Sequence, residues 1–432
     1  MILWANALVL LLEDETDILV PAMDVLVQFA ASRFRVPHRH RPSRTFRRQC
    51  VFTVRSSFSL PFPQQKAKYY EHLQAAVDVV ERACRLCVDV QSSLFSSDSK
   101  IIQKIDQTPV TVADFGVQAL VSLEMSKLFP TIPLVAEEDS TFVRENNLVD
   151  AVVEVVTDKS SISGKELSQD DVLKAIDRGG KDAYLFGPEP ATYWILDPID
   201  GTRGFVRGSE ALYVVGLSLV VEGEIVLGVM GCPNWQDRDS DIINAEVQGE
   251  ENTVSRSGII MISHVGCGTW RTRLWHLQNS NAVMAHNWTR CLVDRFHQVH
   301  EARFCIPDSQ TWETLPLCTQ FNATTDANSV GEKEVLLLPT CCGSLSKYLT
   351  VASGRASVFI LRARTKTVIK VWDHAVGLIC IQEAGGKVTD WKGSKLDFAA
   401  DQTERRVIFP SGGVLVTNDT LHNSILEIIS SC

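Results

Sequence analysis

At 432 residues, with 45% hydrophobic and 22% charged side chains, the chain is long enough for two packed lobes and too ordinary in composition for a fibrous or disordered protein. Its formal charge of −10 hides an asymmetry, because residues 25–70 hold ten Lys or Arg and no acid, so the remainder is more acidic still. Such a body excludes general binding to a nucleic acid backbone; a phosphorylated ligand would need metal ions and a few local cations to attract it.

Residues 2–12 are apolar but too short to span a bilayer, and Glu13, Asp14, Glu15 and Asp17 follow where a secretory signal would place its cleavage site. Arg33, Arg35, Arg39, Arg41, Arg44, Arg47, Arg48 and Arg55 are then interleaved with Ser, Phe and Val, the composition of an organellar transit peptide. Residues 1–64 are therefore expected to be a targeting segment without stable structure, addressed to the mitochondrion, with the chloroplast inseparable by composition. Met23 offers an alternative start. The plainer reading is a basic tail that binds anions. No transmembrane segment is seen, so no membrane partner is expected.

The folded body is expected to start near Gln65. Leu73, Val77, Val80, Cys84 and Val88 recur at helical spacing. Cys84 and Cys87 form a C-x-x-C inside that pattern, and with no second pair, packing outweighs a zinc or redox role. The twelve cysteines lack the spacing of a disulfide framework and read as reduced core residues. Residues 108–113 lead into a helix carrying Val117, Leu120 and Leu128 and ended by Pro130, with Asp114 where an N-cap belongs. A short strand at 133–136 delivers Glu137, Glu138 and Asp139, either as solvated surface or as a carboxylate pair at a strand end. Residues 144–182, acidic and weakly periodic, read as an insertion or lid with one helix at 170–177.

Tyr193, Trp194 and Ile195 read as a buried strand, and L-D-P-I-D-G-T-R-G-F at 196–205 follows at its carboxyl end, where open α/β sheets bind ligands. Pro198 keeps Asp197 extended and Gly201 permits a turn closed to other residues, so Asp197 and Asp200 can point into one small space. Two carboxylates that close repel unless a cation lies between them, and all-oxygen ligands suit Mg²⁺. An Asp-Pro turn with Asp200 as a helix cap is the bland alternative. Residues 211–221 and 224–230 form a hairpin around Glu222 and Gly223. The charged stretch 236–258 is expected to be a flexible loop separating a first subdomain, 65–235, from a second, 259–432. Strands are expected at 335–339 and 356–361, with Ser344 and Lys347 between them. Residues 371–375 open a helix that stops at Gly385 and Gly386, and a strand at 414–417 and a helix at 421–429 complete the chain.

Three runs in order, V-A-E-E-D at 135–139, L-D-P-I-D-G-T-R-G-F at 196–205 and V-W-D-H-A-V-G at 371–377, resemble the lithium-sensitive, Mg²⁺-dependent phosphatases related to inositol monophosphatase. Arg203, Gly204 and Phe205, with His374, are more narrowly similar to that family's 3′(2′),5′-bisphosphate nucleotidase branch. The likeness covers roughly residues 67–430. It implies an α/β (α+β) chain with the layered αβαβα sugar-phosphatase fold of inositol monophosphatase and fructose-1,6-bisphosphatase. It also implies that Glu137, Asp197, Asp200, Asp373 and the backbone carbonyl of Ile199 hold two or three Mg²⁺, while Asp114 and Thr202 orient the attacking water. Ser344, Lys347 and Arg362 would bind substrate with Thr202 and Asp373; Arg364 lies close to Arg362 in sequence. Pro307, Asp308 and Ser309 stand where the family carries a histidine within a His/Ser run. The implied activity is removal of the 3′-phosphate from 3′-phosphoadenosine 5′-phosphate, and from its sulfated analogue, with inhibition by Li⁺. The chain would act as a monomer on a small nucleotide, without nucleic acid. The rival readings are an inositol polyphosphate 1-phosphatase, an inositol monophosphatase, and a non-hydrolytic regulator that binds nucleotide or metal.

Overall fold

The apolar positions from Leu73 onward lie on one face of a 26-residue helix, α1 (Tyr70–Phe95), where Leu73, Val77, Val80, Cys84 and Cys87 are fully buried. This is a computed structural model, and it describes residues 59–95, 108–160, 167–208, 211–236, 258–274, 287–364 and 368–431. The Arg-rich segment and most of the loop expected at 236–258 lie outside these residues. The folded body begins before Gln65, because Leu60 and Phe62 are already buried in the core beneath α1. The segment expected to lack structure therefore ends short of residue 64.

Helix α2 (Thr108–Leu128) packs beside α1. Its Ala113, Val117, Leu120 and Val121 join the core under α1, while Val112, Phe115 and Ala119 join a separate helical cluster. Burial on two faces erases the amphipathic period that marks a surface helix. The residues expected to form an acidic lid instead make three helices, α3 (Thr141–Glu145), α4 (Val149–Lys159) and α5 (Gln169–Gly179). Helices α4 and α5 pack onto α2 through Val152, Val156, Val172 and Ile176. A capping box, with Ser168 and Asp171 each bonding the other's backbone N–H, starts α5, the one helix expected in this stretch, at 170–177.

The first sheet has seven strands: β1 (Leu134–Ala136), β2 (Tyr193–Asp200), β3 (Val214–Val221), β4 (Glu224–Cys232), β5 (Ile259–His264), β6 (Gly268–Arg273) and β7 (Thr289–Cys291). β1 pairs parallel to β2 and every later neighbour is antiparallel. The hairpin turn between β3 and β4 is where it was expected, with Glu222 and Gly223 both at positive φ. Because β5 pairs with β4 from Leu227↔His264 to Cys232↔Ile259, the sheet runs straight past the expected boundary at 236–258, and the changeover to the second half follows Cys291.

The second sheet has the order β13-β15-β11-β8-β10-β9, formed by β8 (Arg303–Cys305), β9 (Asn322–Thr324), β10 (Glu334–Leu337), β11 (Val358–Arg362), β13 (Gly386–Asp390) and β15 (Gly413–Asn418). A two-stranded piece joins β12 (Ile369–Lys370) to β14 (Val407–Ile408). Two helices, α7 (Leu345–Ala352) and α8 (Ala375–Glu383), pack between the sheets. Helix α8 is apolar on all sides for that reason, and strands β3 and β4 read as unbroken apolar runs because both faces are covered. Outside the second sheet, α9 (His422–Ser430) and short 3₁₀ turns close the last layer. The short helix α6 (Thr202–Arg207) follows β2 directly. Five layers result, in the αβαβα order that the family likeness implied. Among the described residues no helix is long and apolar enough to cross a membrane.

Candidate active site

Strand β2 ends in the acids. In an even strand residues three apart face opposite sides, but the pairing with β3 slips between Asp197, opposite Gly216, and Asp200, opposite Val214. That slip at Pro198 and Ile199 turns both carboxylates toward Asp373, two residues before α8. One oxygen from each of Asp197, Asp200 and Asp373 lies within 4.8 Å of the others. Gly201 follows at φ +87°, and Thr202, Arg203 and Phe205 enter α6 from it. The Ile199 carbonyl accepts a hydrogen bond from Thr202 Oγ1 at 3.4 Å.

Asp200 is gripped from the other half of the chain. Its Oδ1 accepts from Ser344 N at 3.0 Å and its Oδ2 from Leu345 N at 2.6 Å, both at the start of α7. Gly343, at φ +70°, makes this approach feasible, since a Cβ there would lie 2.2 Å from Asp200 Oδ2. Asp197 differs: its Oδ1 is buried with no hydrogen-bond partner among the described residues. Burial first, then the charges of Asp200, Glu137, Asp373 and Asp114, push the Asp197 carboxyl far above the usual range. Asp373 is pushed up by burial, Asp200 and Glu137, and Asp200 by burial against the opposing pull of the α7 amides and Lys347. A mutually repelling, all-oxygen set, buried at Asp197 and Asp200 and half-buried at Asp373, with one orphaned oxygen fits a hard divalent cation.

Glu137 follows β1 and remains open to solvent, outside the 4.8 Å cluster but near enough for its charge to raise Asp197 and Asp373. Although it is exposed at its surface, its own carboxyl is raised by partial desolvation from the atoms around it and by Asp200, with Lys370 and Arg406 opposing. Asp114 is no N-cap. Helix α2 begins six residues earlier, and Asp114 is a buried interior residue raised by burial and by Glu138 and Glu137. No hydrogen bond joins Asp114 to Thr202 among the described residues. Thr202 lines a cavity of about 380 Å³ together with Asp200, Asp373, Ser344, Lys347 and Arg362. Lys347 Nζ is buried against the Gly343 carbonyl at 2.6 Å, and Arg362 is exposed with Nη1 on the Thr314 carbonyl. Arg364 donates to the Ser309 carbonyl and is not on the cavity wall. Asp308 is on that wall and accepts from Cys342 N at 3.1 Å. Cys342 is not a reduced core residue, being disulfide-bonded to Cys341.

Several supporting residues escaped the sequence reading. Gln118 of α2 donates to the Glu138 carbonyl at 2.5 Å and accepts from Glu138 N at 2.9 Å, fixing the turn that carries Glu137. Asp177 of α5 holds Ser140 N and Ser140 Oγ at 2.7 Å each, pinning the same turn. Arg406 donates to the Glu137 carbonyl at 3.1 Å and lies over the Trp372 ring, which Lys370 also approaches. No local pattern could have revealed these pairings, which join residues up to 269 positions apart.

A mitochondrial 3′(2′),5′-bisphosphate nucleotidase is the name carried by an Arabidopsis thaliana protein 60% identical over 409 residues, covering 95% of this chain and 98% of the relative. A 3′(2′),5′-bisphosphate nucleotidase from Oryza sativa is 32% identical over 84% of this chain and 94% of its own. Among solved structures, an inositol monophosphatase from Anabaena (Nostoc) sp. PCC 7120 aligns at 18% identity and a TM-score of 0.47 over 84% of this chain and 96% of that one. Residues 68–432 match the inositol monophosphatase family of metal-dependent phosphatases, and this chain belongs to that family.

Proposed function

We propose that this chain is a Mg²⁺-dependent 3′(2′),5′-bisphosphate nucleotidase that hydrolyses 3′-phosphoadenosine 5′-phosphate to AMP and phosphate, acting as a monomer in the mitochondrion. The observation that carries phosphatase chemistry is the meeting of Asp197, Asp200 and Asp373 around an orphaned carboxylate oxygen. In this reading Glu137 and the Ile199 carbonyl complete the ligand set. When bound, divalent ions supply a water of lowered pKa and offset the charge of the phosphoryl oxygens. Asp114 and the Thr202 hydroxyl orient that water. Ser344, Arg362 and the charge of Lys347 hold the nucleotide on the facing wall, with Thr202 and Asp373 touching the phosphate. The nucleotide class rests on the 60% identical relative, whose name, with the acid-free Arg-rich stretch of this chain, also supports the organelle.

The test is phosphate release from adenosine 3′,5′-bisphosphate, its 5′-phosphosulfate analogue, inositol 1-phosphate and inositol 1,4-bisphosphate, each with Mg²⁺ and with EDTA. We expect kcat/KM on the adenosine bisphosphate to exceed that on the inositol phosphates by about tenfold or more, and to vanish with EDTA. Faster hydrolysis of an inositol phosphate would reassign the substrate. Undiminished turnover in EDTA would remove the metal site from the reaction.

A further inference from the structure

Helices α7 and α8 meet through one buried polar contact that the reaction above leaves unused. Tyr348, one residue after Lys347, places its hydroxyl 2.9 Å from Nδ1 of His374, one residue after Asp373. Both side chains are buried, and nothing else among the described residues bonds either the phenol or the imidazole. The phenol proton then has one acceptor available, so Nδ1 accepts and the ring's own proton belongs on Nε2. That second nitrogen has no protein partner among the described residues, and His374 lines the cavity together with Asp373 and Ile369.

We propose that Tyr348 is a positioning residue whose hydroxyl holds His374 in the tautomer that offers an Nε2–H to an oxygen of the bound substrate, beside Asp373. This rests on the phosphatase reading of the cavity. The seat is shaped for the pair. Gly377, on the first turn of α8, leaves room for the tyrosine: a Cβ there would lie 2.2 Å from the Tyr348 ring. Phe359 meets the same ring edge-on at 5.4 Å, fixing its tilt. Among the described residues no carboxylate bonds the imidazole, so nothing in the seat calls for a second ring proton. A neutral donor suits an anionic substrate next to a metal site, since it adds a hydrogen bond without competing with the cations for the carboxylates. The plain alternative is a Tyr–His pair that satisfies only itself.

Two measurements separate these. In protein labelled with ¹⁵N-histidine, the His374 ring should show a protonated Nε2 and a bare Nδ1, and Tyr348→Phe should convert it to a mixture of tautomers. On the adenosine bisphosphate, His374→Leu should raise KM about tenfold, the value of one hydrogen bond to a charged group. His374→Gln, which keeps an N–H near the Nε2 position, should stay within about threefold of wild type. A protonated Nδ1 in the wild-type ring, or equal KM values for the Leu and Gln variants, would overturn the proposal. Should Tyr348→Phe fail to fold, the wild-type spectrum and the two histidine variants still decide. A wild-type enzyme that ignores nucleotides would sink the functional reading instead, leaving the tautomer result to stand alone.

Discussion

The two walls of the cavity are built differently. On one side Asp197 and Asp200 end a fully buried strand, second in the first sheet, and Asp373 precedes a helix sandwiched between two sheets, so each acid is held by backbone that cannot shift without disturbing a core. On the other, Pro307, Asp308, Ser309 and Arg362 come from loops and an exposed strand end, and the arginines rest on backbone carbonyls rather than on fixed acids. In the proposed reading the contrast is a division of labour: the reacting groups would stand on the rigid interior together with Lys347 of the buried α7, and Arg362 would meet the rest of the substrate from the adjustable margin.

Substitutions can break that division, and the largest effect belongs to the rigid side. Asp197→Asn keeps the shape but removes a charge several kcal/mol of catalysis depends on, so kcat should fall by about a thousandfold or more with the circular dichroism spectrum unchanged. On the marginal side, Arg362→Ala should raise KM for the bisphosphate by roughly tenfold while kcat stays within about a factor of two, the split expected of binding that is uniform through the reaction. Loss of kcat in that variant would place Arg362 with the reacting groups. The smallest effect is expected behind the margin, on the second sheet. His422 is bonded to Thr417 Oγ1 and Thr389 Oγ1, and burial with nearby Lys387 lowers it to about 4. Its contribution to stability is full above the ordinary histidine pKa of 6.5 and is lost as pH falls from there toward 4. His422→Gln should flatten the melting temperature over that window by roughly 1–2 °C without changing kcat at neutral pH.

The meeting of Asp197 and Asp200 is legible because its signal is local. Asp197, Asp200 and Gly201 lie within five residues, and the turn geometry that brings them together is written in Pro198 and Gly201. The same holds for the hairpin at Glu222 and Gly223. What failed was reading that assumed a helix has one wet face. Helix α2 is packed on two sides, so its first turns carry no amphipathic signal and Asp114, six residues inside, mimics a cap. Helix α4 does carry a helical stripe, Val149, Val152, Val153 and Val156, but Asp150, Glu154 and Asp158 on its other face give the stretch the acidic look of a lid. The subdomain boundary was drawn at a charged loop, although strand pairing across β4 and β5 ignores what the connecting loop contains. Contacts such as Gln118 to Glu138, or Tyr348 to His374, depend on the packed arrangement and leave no trace in spacing.

The grip of the α7 amides on Asp200 has a consequence for biogenesis. Asp200 belongs to the first sheet, yet its oxygens wait for amides 144 and 145 residues further along the chain. A half-made or truncated polypeptide therefore lacks the amides that hold Asp200, and in the proposed reading a complete ion site would form only once the two sheets close over α7 and α8.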